Sequence, residues 1–113
     1  MKTASLLQNV EFGDSKPKFS LLLETEVLKE IRIAFKEQQL LKEHEAPFPI
    51  VVYVATGEID FGVFGQTITL KTGDMIALEA NVPHNLKALK ESVIKLTLSK
   101  QDHLERVEKV VEG

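Results

Sequence analysis

The residues of this 113-residue chain best suited to chemistry near neutral pH are its three histidines, His44, His84 and His103. An imidazole can take up or give a proton, ligate a metal through either nitrogen, or hydrogen-bond an organic ligand. Cysteine is absent, which excludes disulfide frameworks, cysteine zinc sites, iron–sulfur clusters and a thiolate nucleophile together. No G-x-S-x-G, H-E-x-x-H, phosphate-cradling glycine loop or dinucleotide fingerprint occurs. Glu79, five residues before His84, would serve as a general acid or base where a desolvated pocket raised its pKa. On an exposed loop it would be an ordinary solvated carboxylate. Lys87, Lys90 and Glu91 read as a solvated face, and His103 as a solvated residue of a C-terminal helix.

The elements that must position these groups are strands. Ile31, Ile33 and Phe35 alternate with Arg32 and Ala34, and Ile50 to Ala55 is dense in β-branched residues. Ile59, Phe61 and Val63 alternate with Asp60 and Gly62, and Ile68 and Leu70 with threonines and Lys71. Met75 to Leu78 and Ser92 to Leu98 complete the set, with turns at Gly57, Phe64-Gly65-Gln66 and Gly73-Asp74. Short strands at near-regular spacing, with no room for crossover helices, predict an all-β sandwich or barrel over about residues 30–99. Residues 1–29, with apolar runs at Leu6-Leu7 and Ser20 to Leu23, are expected to add one or two edge strands. Leu104, Val107 and Val110/Val111 recur at helical spacing and predict a short helix over about 102–112, capped by Ser99 or Asp102 and packed on the barrel or on a partner subunit.

The chain is 43% hydrophobic and 27% charged, a balance that lets one domain spanning 1–113 bury a core without disulfides or a structural metal. The net charge of -3, with lysine and glutamate interspersed, argues against a nucleic-acid partner. No apolar run approaches the ~20 residues of a bilayer span, and the opening MKTASLLQNVEF lacks the apolar segment of a secretory signal. A soluble, cytoplasmic protein is expected.

From Lys42 to Ala88 the chain resembles the cupin family. His44 stands where the first histidine of the family's first motif belongs, and Gly57 where that motif closes. Gly73-Asp74 opens the second motif, and Val82-Pro83-His84 carries its histidine. Fifteen residues separate Gly57 from Gly73, a separation usual in the family. VVYVATGEIDFGV and LKTGDMIALEANVPHNLKA look like cupin strands throughout. The departures fall on specific positions. Gln38 replaces the first motif's opening glycine, Ala46 its second histidine and Ile50 its glutamate. Glu79, Asn81 and Ala88 replace the second motif's proline, glycine and asparagine.

The resemblance implies a cupin-type β-barrel (a double-stranded β-helix or jelly roll) with a short C-terminal helix. It also implies a homodimer assembled through the N-terminal segment, the outer sheet faces or the tail helix. In cupins with the full set, three histidines and a glutamate bind a divalent transition metal inside the barrel. Only His44 and His84 match those positions. Catalytic metals usually have three protein ligands, and strand alternation supplies no third one. With His44 and Ala46 on one face, Glu43 and Glu45 point outward unless a bulge intervenes, and Tyr53 points away from inward-facing Val52 and Val54. We therefore expect a pocket for a small-molecule ligand, formed by His44, Ala46, Ile50, Val52, Glu79 and His84, in a non-catalytic or sensor-like cupin. The alternative is a metal-dependent oxygenase or isomerase using His44, His84 and a further ligand. A filled barrel without a cavity would mark a purely structural domain.

Overall fold

In the strand Ile50–Thr56, alternating apolar residues become alternating burial. Ile50, Val52 and Val54 are buried, and Val51, Tyr53 and Ala55 are only partly so. The same pattern recurs along the chain in a computed structural model that describes residues 1–113. Its strands are β1 (Lys18–Glu24), β2 (Leu28–Phe35), β3 (Leu40–His44), β4 (Ile50–Thr56), β5 (Glu58–Val63), β6 (Gln66–Lys71), β7 (Met75–Leu78), β8 (His84–Ala88) and β9 (Ser92–Ser99). One helix follows, α1 (Leu104–Glu112).

All strand pairs are antiparallel. They form two sheets, ordered β1-β2-β9-β4-β7 and β3-β8-β5-β6, which give the expected jelly-roll barrel. Inward residues of both sheets, among them Ile31, Ile33, Phe35, Ile59, Phe61, Ile94 and Leu98, fill a continuous core. Burying each such side chain stabilises the fold by roughly 1.5–3 kcal/mol.

The chain passes between the sheets at Gly57, where φ is +111°. A Cβ there would lie 2.1 Å from the Ser92 hydroxyl. Ser92, itself fully buried, accepts the Glu58 N–H and donates to the Lys90 carbonyl, so the corner admits no side chain. Two family glycines are replaced at other positive-φ positions. Gln38 sits at φ 74° and Asn81 at φ 63°. Asparagine tolerates this left-handed region, whereas glutamine is strained in it.

The N-terminal segment supplies one of the one or two expected edge strands, β1, at the edge of the five-stranded sheet. Only Lys18–Glu24 forms a strand before β2, and residues 1–17 contain none. The reason lies in Arg32, which points to the outer face of β2 yet is only 8% exposed. Its guanidinium donates to the carbonyls of Ser5, Gln8 and Asn9. The segment around Leu6-Leu7 is thereby tied across the sheet instead of extending its ladder. Pro17, which has no N–H to give, stands directly before β1.

The helix also begins later than expected, at Leu104, with His103 as an N-cap that makes no side-chain capping bond. The Ser99 hydroxyl accepts the Gln101 N–H instead. Asp102 accepts the His103 N–H, and most of its carboxylate is engaged elsewhere. Val107 and Val111 are buried in the chain's own core, so the apolar side of α1 is covered within the chain. No helix is long and apolar enough to cross a membrane.

Candidate functional site

The site begins with strand register. β3 pairs with β8, Leu41 opposite Leu86 and His44 opposite His84, with a register shift between the two pairs. Three steps along β3 thus match two along β8. A bulge of this kind absorbs the extra residue, so Leu41 and His44 face the same side despite their odd spacing. Both line the barrel interior, while Glu43 and Glu45 are exposed. The loop before β8 is held to the second-histidine position of the first motif by the Asn81 N–H, which donates to the Ala46 carbonyl.

The two imidazole centroids lie 4.2 Å apart with planes tilted by 59°. His84 also stacks on Phe61 at 5.5 Å with nearly parallel planes. His44 Nδ1 is 2.7 Å from the Lys42 carbonyl oxygen, and His84 Nδ1 is 2.9 Å from that of Val82. A carbonyl oxygen only accepts, so each Nδ1 carries the proton and donates it. In the neutral ring Nε2 is then an acceptor. Burial favours that neutral form. Desolvation inside the barrel lowers the His44 pKa to about 4, against the opposing hydrogen bond to Lys42, and the charges of His84 and Arg106 act in the same lowering direction. His84 is lowered as well, first by desolvation and then by Arg106, with the Val82 hydrogen bond opposing.

Around the rings lies an internal space of about 20 Å³, walled by Ala46, Ile50, Val52 and neighbouring apolar side chains from both sheets. That volume is enough for a single water-sized group. Of the residues expected to form the pocket, His44, Ala46, Ile50, Val52 and His84 line this space. Glu79 does not. It is exposed on the loop before β8, and beyond the turn at Asn81 it is Val82 and His84 that pack inward.

Sequence reasoning missed the one charged group at the cavity. Arg106, from α1, lines it beside the histidines. Its Nε and Nη2 donate to the two oxygens of Asp102 at 2.8 and 2.7 Å. Asp102 is 1% exposed, so this is a buried, two-pronged ion pair that aims the guanidinium. Nη1 reaches the Glu45 carbonyl only at 3.5 Å. Asp102 and Arg106 are four residues apart across the start of a helix, a spacing that signals such a pair. Nothing in the sequence indicated that the helix would lay it over the barrel mouth.

The donor set does not fit a resident transition metal. No third histidine, cysteine, aspartate or glutamate groups with the two imidazoles, and Ala46 and Ile50 occupy the remaining family positions. The nearest charge is the cationic Arg106, which opposes a metal cation. The arrangement instead offers two hydrogen-bond acceptors and one cationic donor around a water-sized space.

A family model described as the cupin domain matches residues 32–99. Among solved structures, the chain is similar to an RmlC-like cupin from Desulfovibrio desulfuricans, with 26% identity over 88% of this chain and 96% of the other and a TM-score of 0.81. An RmlC-like cupin from Shewanella frigidimarina is 23% identical over 88% and 91% of the two chains, with a TM-score of 0.74. KdgF from Halomonas sp. is 21% identical over 88% and 96%, with a TM-score of 0.71. The latter two likenesses are likenesses of fold. No curated protein matches the chain.

Proposed function

This chain belongs to the cupin family, and we propose that it is a non-catalytic, small-molecule-binding member whose ligand hydrogen-bonds to His44 and His84 inside the barrel. The observation that carries this reading is the commitment of both Nδ1–H groups to backbone carbonyls. It leaves two Nε2 acceptors beside a cavity whose walls are otherwise largely apolar. Ligand sites commonly combine apolar walls with a few convergent polar groups. The space is small, so one polar group of the ligand enters it and the ligand's body stays at the mouth beneath α1. No carboxylate or nucleophile lines the cavity, which favours binding over catalysis, in keeping with a sensor-like role.

A metal-dependent enzyme is the second reading. It is favoured by one observation, since metal-ligating histidines also commonly donate their other N–H to a carbonyl. The absence of a third protein ligand counts against it.

The test is nuclear magnetic resonance of protein labelled with 15N at histidine, titrated with small polar organic molecules. The binding reading expects saturable shifts of both ring Nε2 signals, lost in His44→Phe. It is contradicted if no organic molecule moves these signals while one equivalent of a divalent metal does.

A further inference from the structure

We propose that the ligand is a small hydroxy acid, with its hydroxyl in the barrel and its carboxylate on Arg106. This deepens the binding reading above and rests on it. The inference follows from the hydrogen-bonding sense of each group at the cavity. His44 and His84 present acceptors, because their N–H groups are already given to the Lys42 and Val82 carbonyls. A bare anion would face two lone pairs there and be repelled, whereas a hydroxyl donates its one proton to one of them or shares it between the two. The internal space of about 20 Å³ admits a hydroxyl in place of a water.

Arg106 presents the opposite character. Asp102 occupies its Nε and Nη2 edge, and Nη1 has only the distant Glu45 carbonyl. The remaining N–H groups have no protein partner, and the side chain is 24% exposed, so this edge is available at the mouth. A guanidinium fork matches a carboxylate. One molecule satisfies both halves when it carries a hydroxyl and a carboxylate, since Arg106 and the two histidines line the same space. Asp102 is a positioning residue in this scheme, since it fixes the guanidinium without touching the ligand.

The experiment titrates the full chain with glycolate, acetate and glycolamide, following the His44 and His84 ring nitrogens. Glycolate is expected to bind at least ~tenfold more tightly than either analogue, each of which leaves one polar partner unmet. Arg106→Lys keeps the counter-charge of Asp102 but loses the fork, and is expected to weaken glycolate by ~tenfold while leaving glycolamide nearly unchanged. The double variant Asp102→Asn/Arg106→Gln, which retains a neutral hydrogen-bonded pair, should behave alike; thermal melts establish that each variant is folded. Acetate binding as tightly as glycolate would overturn the role of the histidine acceptors. Glycolamide binding as tightly would overturn the role of Arg106. In either case the binding reading survives. If none of the three moves the ring signals, the hydroxy-acid assignment falls, and if the wider panel of organic molecules also fails, the binding reading falls with it.

Discussion

His44 and His84 are direct cross-strand partners of β3 and β8, and their rings meet 4.2 Å apart as two neutral imidazoles rather than as an acid and a base. Neither has a carboxylate partner, and both are anchored by backbone carbonyls. Desolvation disfavours charge on either ring, and most of all on both at once, so the pair is neutral at neutral pH. The pair therefore makes the interior sensitive to protonation.

Stability should follow that sensitivity. The His44 pKa lies near 4 in the folded protein against 6.5 for the unperturbed group. The unfolded chain thus binds more protons between these values, and stability rises with pH across the window from about 4 to 6.5. Above 6.5 the contribution is fully present, and as pH falls through the window it is lost. Thermal melts of wild type and His44→Gln at steps from pH 7.5 to 4 should show wild type losing stability relative to the variant as pH falls through the window. Parallel curves would show that His44 is not desolvated in the folded state.

Gln38 offers a stabilising substitution. Its φ of 74° costs a non-glycine residue roughly 1–2 kcal/mol, part of which glycine returns as unfolded-state entropy. Gln38→Gly should raise stability by ~0.5–1 kcal/mol, read as an increase in denaturant midpoint without a change in slope. Asn81→Gly should lie within ~0.5 kcal/mol of wild type, because asparagine already tolerates this region. A destabilised Gln38→Gly protein would mean that the side-chain contacts of Gln38 outweigh its backbone strain.

The Asp102–Arg106 pair should be strongly non-additive. Arg106→Ala leaves a carboxylate that is 1% exposed without its fork, a change that costs up to ~3–5 kcal/mol where a buried pair is fully desolvated. Because the Arg106 side chain is 24% exposed, the lower end of that range is expected. Asp102→Asn/Arg106→Gln should recover more than half of the loss in a chemical-denaturation cycle. Additive losses would show that the pair is solvated and does not fix α1 over the barrel.

Much of this was legible in the sequence wherever one face of a strand is buried and the other wet. The alternation at Ile59, Phe61 and Val63 marks β5 directly, and the spacing of His44 and His84 carried the family resemblance and the inner pair. Legibility failed where a second layer covers a surface. Arg32 sits on the outward phase of β2 yet is buried, because residues 5–9 fold back over it and give their carbonyls to its guanidinium. It failed again at Glu79, on the loop that turns at a left-handed Asn81. Arg106 escaped notice for a related reason. Helical periodicity specifies which side of α1 is apolar, but not which strands that side rests on.

The central claim is that His44 and His84 form a ligand site without a resident metal, and elemental analysis by mass spectrometry tests it most directly. Wild type and the double variant His44→Ala/His84→Ala would be purified without chelators and analysed before and after incubation with iron, manganese, nickel, copper and zinc salts. The account predicts no stoichiometric transition metal in either protein, since two imidazoles beside a guanidinium lack the third protein ligand that such sites usually have. Close to one equivalent in wild type, lost in the double variant, would contradict it and make the metal-dependent reading the correct one.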